Sequence, residues 1–261
     1  MLKESFHNHT WRCRHADGTE REYVENAISA GMTRFGFSDH TPYAFTGVDY
    51  YSGFRMRPEQ LEDYVKTVLD LKKEYAREIE IHLGLETEYY PRFFEDYLRL
   101  IEPYPIEYII MGQHFLNNEL DQDGSGRPDP SEERLMRYVS QTGEGMKTGK
   151  FAYIAHPDIF NFTGDRDVYA REMRKLCENA KNANVPLEIN LLGIRTNRSY
   201  PNEAFWKIAG EVGNDVVCGG DAHAAKDVCD DASFERAQEW VKRFGLKWHE
   251  ASYVLNGGCR L

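Results

Sequence analysis

The chain has little of what would mark a disulfide-built, membrane-spanning or nucleic-acid-gripping protein. Its five cysteines, Cys13, Cys177, Cys218, Cys229 and Cys259, are an odd set with no C-x-x-C pair. This argues against a disulfide framework, and reduced thiols in the cytoplasm are the expectation. No run approaches the ~18 apolar residues of a membrane span, and the start, Met1-Leu2-Lys3-Glu4-Ser5-Phe6-His7, lacks the apolar stretch of a signal peptide. Basic residues are in deficit, 32 Lys+Arg against 43 Asp+Glu, for a formal net charge of −11. Such a field does not suit a grip on nucleic acid or an anionic membrane. Low-complexity segments and solenoid repeats are also lacking. What is present is an ordinary globular composition, 41% hydrophobic and 29% charged over 261 residues. That length buries a core without disulfides or a structural metal, and residues 1–261 read as one domain.

Short apolar runs occupy 34–38, 79–85, 108–111, 153–155, 187–189 and 216–218, with a weaker one at 4–6. All have strand length. Amphipathic stretches lie between them, at 20–30, 58–77, 93–101, 132–147, 171–182, 202–212 and 234–244. In the second of these, Leu61, Tyr64, Val65, Val68 and Leu69 share one helical face behind Pro58. Segment 117–130, rich in Gly, Asp, Asn and Pro, reads as a long loop. Strand and helix in alternation predict a parallel α/β fold, and about seven units suit a single barrel of TIM type.

Each apolar run ends in a polar, ligand-capable side chain: His7-Asn8-His9, Ser38-Asp39-His40, Leu85-Glu86, Gln113-His114, His156-Pro157-Asp158, Ile189-Asn190 and Asp221-Ala222-His223. In a parallel barrel the C-terminal strand ends build the active site. Of nine histidines, six stand at these tips and His15 lies in the loop after the first. Residues two apart on a strand point the same way, so His7 and His9 can reach one ion. A lone histidine at a strand end is ordinarily a hydrogen-bonded core or surface residue; seven converging are better explained as a metal centre. Imidazole and carboxylate without thiolate suit Zn, Mn or Fe. Nine candidate ligands (His7, His9, His15, His40, Glu86, His114, His156, Asp221 and His223) exceed the needs of one ion. Two to three divalent ions are therefore expected, with Glu86 able to bridge two of them.

The ordered series His7-Asn8-His9-Thr10, Phe37-Ser38-Asp39-His40, Gly84-Leu85-Glu86, His114, Ala155-His156-Pro157 and Gly220-Asp221-Ala222-His223 resembles the PHP (polymerase and histidinol phosphatase) superfamily of metal-dependent phosphoesterases. The resemblance spans residues 7–223. Within the superfamily the chain is most similar to the monofunctional histidinol-phosphatases, through Cys13-Arg14-His15-Ala16-Asp17-Gly18, Arg55-Met56-Arg57-Pro58, Glu86-Thr87-Glu88-Tyr89 and Glu188-Ile189-Asn190. It departs from them at Gly112-Gln113 and in the segment after His156.

This resemblance implies a distorted (β/α)7 barrel and a trinuclear centre. One ion would be held by His7, His9, Glu86 and Asp221, a second by Glu86, His114 and His156, and a third by His15, His40 and His223, with Asp17 competing for the place of His15. It further implies hydrolysis of a small phosphorylated metabolite, L-histidinol phosphate first, by a hydroxide bridging two ions. Glu86, His156 and Asp221 would carry the catalysis. Arginines are natural phosphate clamps: Arg195 is the first candidate, with Arg57, Arg166 and Arg198 behind it. His82 reads as a core histidine. Asp39 would support a ligand or cap the next segment, and Asp158 or a metal-bound water would protonate the leaving alcohol. Tyr43, Phe45, Tyr50, Tyr51 and Phe54 would wall the pocket or pack within their loop. The competing readings are another small phosphate ester, such as a nucleotide or sugar phosphate, and a non-catalytic metal-binding PHP module. The oligomeric state is left open.

Overall fold

Apolar runs pair as strands and amphipathic runs cover them, in the order β1 (Glu4–Ser5), α1 (Glu20–Ser29), β2 (Arg34–His40), α2 (Leu61–Glu74), β3 (Glu80–Thr87), α3 (Phe94–Ile101), β4 (Tyr108–Met111), α4 (Glu132–Lys147), α5 (Arg166–Ala183), β5 (Leu187–Asn190), α6 (Leu191–Arg195), α7 (Glu203–Val212), β6 (Asp215–Gly219), α8 (Asp231–Phe244), β7 (Lys247–Trp248) and α9 (Tyr253–Asn256). This computed structural model describes residues 1–256; Cys259 lies outside them. Every ladder is parallel: β1–β2–β3–β4 form one run and β5–β6–β7 another. Single bridges join the two runs, Ile154 to both Met111 and Leu187, and Asn8 to Ala222. The result is a curled parallel sheet with helices outside, an α/β fold of TIM-like kind.

Local chemistry explains where elements depart from the sequence pattern. Residues 153–155 give one bridging residue instead of a strand, although Ala152 N–H reaches Ile109 O at 2.8 Å and Met111 N–H reaches Tyr153 O at 3.0 Å. Left-handed Gly149 (φ +67°) and His156 (φ +30°) confine this segment from both sides. Helix α5 starts at Arg166, ahead of its apolar face, because the Asp165 carboxylate caps the amides of Asp167 and Val168. Before α2, Pro58–Gln60 forms a 3-10 turn, and the helix stops at Glu74. Thr19 and Glu22 close a capping box at α1. Neither α6 nor the short β7 is visible as a periodic pattern.

Inside the curl, Phe6, Tyr108, Ile110, Tyr153 and Val217 are fully buried and form the floor beneath the strand ends. Tyr108 lies across the interior and donates to Phe6 O (2.8 Å) and Phe37 O (3.0 Å). Its ring occupies the space where a side chain on Gly84 would stand. His82 belongs to this lower layer, with Nδ1 2.9 Å from Glu107 and its ring 5.0 Å from Phe6. Its Nε2 lies 3.2 Å from Glu80 Oε1, and the ring sits in the lower layer, remote from the strand tips.

Candidate metal centre

Parallel strands present all their carboxyl ends on one side, so the side chains that end or follow them converge. His40 closes β2 in register with Glu86 of β3. His7 and His9 follow β1, His114 follows β4, His156 follows the bridge at Ile154, and Asp221 and His223 follow β6. His15 arrives from the 3-10 turn Trp11–Cys13. His156 and Asp221 hold positive φ, +30° and +47°, a costly backbone for residues of this kind. Two bonds keep them there: His156 N–H to Glu188 Oε2 (2.9 Å) and Asp221 N–H to His7 O (2.7 Å).

Glu86, 1% exposed, is the hub. Its Oε1 lies 2.9 Å from His156 Nε2 and 3.5 Å from His114 Nε2. Its Oε2 lies 3.0 Å from His40 Nδ1 and 3.5 Å from both His7 Nε2 and His9 Nε2. Asp221 Oδ1 lies 3.0 Å from His9 Nε2, 3.5 Å from His7 Nε2 and 3.3 Å from His223 Nδ1. His15, His40 and His223 form one group of mutually near ligand atoms, and His7, His9 and Glu86 another. Nε2 of His15 and His223 are 3.0 Å apart. Asp17 is near by its backbone, its amide donating to His223 O at 2.9 Å.

These residues fit divalent cations. Among the described residues, His7 Nε2, His9 Nε2, His40 Nδ1, His156 Nδ1, Glu86 Oε2 and Asp221 Oδ1 are buried without hydrogen-bond partners. Several face one another at 3.0–3.5 Å without a hydrogen bond between them, and a divalent cation among them would supply the missing partner. Outer groups aim the rings: the Nδ1 of His7 meets Glu188 Oε1 at 2.8 Å, that of His114 meets Glu88 Oε1 at 2.9 Å, and that of His15 meets Cys13 O at 2.8 Å. In each the Nε2 is left for the centre, as in carboxylate–histidine–metal triads. Glu188 also takes the Asn190 amide (2.9 Å), which in turn reaches Asp221 Oδ2 (3.0 Å). Sequence reasoning assigns no role to Glu88 or Glu188 and reads Asn190 only as a ligand-capable strand end. The signal was a carboxylate embedded in an apolar strand and spaced by two from a second polar group.

The charges are coupled. Burial disfavours the carboxylate forms of Glu86 and Asp221, yet the surrounding histidines outweigh it and hold both well below the usual range. Burial opposes charge on His7 and His9 as well. Even so, Glu188, Asp221 and Glu86 raise His7 well above its ordinary value, and Asp221 and Asp39 bring His9 to about 9. Burial with its neighbours lowers His15 to about 4 and depresses His40 and His223. Burial also pushes the Cys13 thiol up, keeping it protonated.

Of the four candidate arginines, Arg198 lines the cavity of about 330 Å³ over the centre, with Phe54, Leu192 and Tyr200. Its Nη1 donates to Tyr200 Oη at 2.8 Å. Arg195 is committed to Asp230 (2.8 Å) and reaches Asp221 O at 3.5 Å. Exposed Arg57 lies over Tyr51, and exposed Arg166 opens α5. The Asp158 carboxylate takes the Asn202 amide at 2.5 Å, and burial raises it to about 7. Asp39 stands behind the site: it takes the Thr10 hydroxyl and lies 3.5 Å from His9 Nδ1. Tyr43 and Phe45 pack on Tyr90, leaving Phe54 over His40.

A TIM-like α/β scaffold that buries imidazoles and carboxylates at its strand ends defines a protein of the divalent-metal-binding class. The PHP domain model matches residues 5–191, and the chain belongs to the PHP family. That match ends before Asp221 and His223, which the structure brings to the same strand ends. The "Probable histidinol-phosphatase" of Deinococcus radiodurans is 29% identical over 235 residues, covering 85% of this chain and 86% of that one. The histidinol-phosphatase of Bacillus subtilis is 27% identical over 259 residues, covering 87% and 96%. Among solved structures, the histidinol phosphate phosphatase of Lactococcus lactis, complexed with Zn, L-histidinol and phosphate, shares the fold with a TM-score of 0.71, 20% identity and 96% coverage of each chain.

Proposed function

We propose that this protein is a metal-dependent phosphomonoesterase that hydrolyses L-histidinol phosphate to histidinol and phosphate. The carrying observation is the set of buried, unpartnered ligand atoms around Glu86, in a chain similar over nearly its whole length to histidinol-phosphatases. On this reading residues 1–261 are one PHP domain whose sheet is a distorted (β/α)7 barrel working in the cytoplasm. Two to three ions (Zn, Mn or Fe) are held by His7, His9, Glu86 and Asp221, by Glu86, His114 and His156, and by His15, His40 and His223. When bound, such ions activate water and neutralise charge on a phosphoryl group.

The chain's own residues do the remainder. Glu86 and Asp221 stay ionised in the cavity, so they hold position and accept no proton from the substrate at neutral pH. Arg198, at the rim, offers its guanidinium to phosphate oxygens. Phe54, Leu192 and Tyr200 wall the same cavity and exclude water from the organic half of the ester. Asp158 is buried with Oδ2 on the Asn202 amide and does not line this cavity, so a water at the centre would give the leaving alcohol its proton. The net charge of −11 does not favour a grip on nucleic acid, and among the described residues no helix is long and apolar enough to cross a membrane.

The test is a phosphatase screen of small phosphate esters, including L-histidinol phosphate, with Mn, Zn and Fe. Turnover of L-histidinol phosphate that Glu86→Ala and His156→Ala abolish, with the fold intact by circular dichroism, is expected. Turnover of another ester alone would overturn the substrate and retain the class; turnover unchanged in either variant would overturn the assignment of the centre.

A further inference from the structure

Arg55 is a fully buried cation outside the ligand set. Its guanidinium grips both oxygens of Glu88, Nη2 to Oε1 at 3.0 Å and Nη1 to Oε2 at 3.1 Å. Nη1 also reaches Thr41 O at 2.9 Å, and Nε reaches Glu119 Oε2 at 2.7 Å. Arg55, Glu88 and Glu119 are each 1% exposed. The Glu88 oxygen that takes Nη2 is also the one that meets His114 Nδ1 at 2.9 Å. The same guanidinium lies 4.4 Å from the centre of the Phe54 ring, which stands 5.1 Å from His40 and 5.9 Å from His114.

Two carboxylates face one guanidinium here, so the buried group carries one negative charge too many. A plain latch between loops would need a single carboxylate and would avoid the desolvation of the second. Glu88 stands between Arg55 and His114, on the side where the proposed metal centre would supply positive charge.

We propose that Arg55 is a positioning residue for the metal centre: it fixes Glu88, Glu88 holds the Nδ1 hydrogen of His114, and His114 is thereby kept with Nε2 toward Glu86. Arg55 also holds Phe54 as the roof over His40 and His114. One guanidinium thus sets both the aim of a ligand and the wall of the substrate cavity. The inference rests on the proposed metal-dependent reading, but its main test needs neither metal nor substrate.

That test is the proton spectrum of the metal-free protein. A hydrogen bond from His114 Nδ1 to a buried carboxylate gives a low-field proton signal protected from exchange, assigned by its loss in His114→Asn. Arg55→Met is expected to remove this signal or bring it into fast exchange, Arg55→Lys to restore it in part, and Glu119→Gln to leave it in place. In parallel, zinc retained against a competing chelator falls about 10–100-fold in Arg55→Met, the range for loss of an outer partner of a metal ligand. In Arg55→Lys kcat falls more than KM rises. If Arg55→Met does not fold, Arg55→Gln carries the same comparison. An unchanged His114 signal in a folded Arg55 variant, or equal loss in Glu119→Gln, overturns the proposal and reduces Arg55 to a loop latch. Neither result bears on the phosphatase reading, which is tested by turnover of phosphate esters in the wild-type chain and in the Glu86→Ala and His156→Ala variants.

Discussion

Glu188 accepts from His7 Nδ1 at 2.8 Å with one carboxylate oxygen and from the His156 amide at 2.9 Å with the other. One fully buried side chain on β5 therefore orients a ligand from the first strand end and pins the positive-φ backbone of another. Asn190, two residues on, ties the same carboxylate to Asp221. Glu188→Gln is expected to weaken zinc binding by about 10–100-fold, because its amide cannot accept from both partners. Competition with a chromophoric chelator measures this; zinc affinity equal to wild type would show that His7 is held by other means.

The arginines separate by what they already touch. Arg198 lines the cavity and is bound to a neutral hydroxyl, whereas Arg195 is paired with Asp230 and supports the Asp221 carbonyl. On the proposed reading Arg198→Ala raises KM for the phosphate ester about 10–100-fold, since a hydrogen bond to a charged group is worth about 1.5–3 kcal/mol. Arg195→Ala instead lowers metal retention with little change in KM. Steady-state kinetics at saturating metal checks the split, and a reversed pattern would move the phosphate to the Arg195 side.

Gly84 has no side chain because Tyr108 crosses the interior against it. Gly84→Ala forces that ring aside and strains its bonds to Phe6 O and Phe37 O. The expected cost is about 1–3 kcal/mol, the range for overpacking, read from urea unfolding. Wild-type stability in this variant would mean that the floor beneath the centre yields freely.

Acid sensitivity has an identifiable contributor far from the centre. Glu107 takes Lys72 Nζ (2.7 Å), His82 Nδ1 (2.9 Å) and the Leu83 amide (3.0 Å). Burial pushes its carboxyl up, but those three donors bring it from 4.5 to about 2. A carboxylate depressed in the folded state adds stability above its unfolded value, and that contribution is lost as pH falls through the folded one. The stability gap between wild type and Glu107→Gln should therefore be full near neutrality and close between about pH 4.5 and 2. Urea unfolding across that interval measures it, and a gap independent of pH would remove Glu107 as the source.

The alternation of strand and helix was legible because burial imposes period two on strands and period 3.6 on helices. Runs 34–38, 79–85 and 108–111 became β2, β3 and β4 with small changes of boundary. Run 153–155 was legible as a strand-length run but forms a single bridging residue, confined by left-handed Gly149 and His156, and β7 is held by its pairing with β6; neither cause leaves a periodic trace. Ligand types were readable from the polar residues at the ends of apolar runs. Glu88 and Glu188 were present in the quoted motifs, but their work depends on which ring nitrogen they meet.

By itself the sequence determined the order of elements, the parallel α/β class and the side chains available to bind metal, since all three follow from local periodicity and residue chemistry. Only the tertiary structure decided which atoms meet. It set Glu86 among five histidines from four segments, brought Arg198 to the cavity and turned Arg195 to Asp230, and put buried Arg55 behind Glu88. Those pairings join residues far apart in the chain, so they exist only once the parallel strands curl and bring their ends to one side.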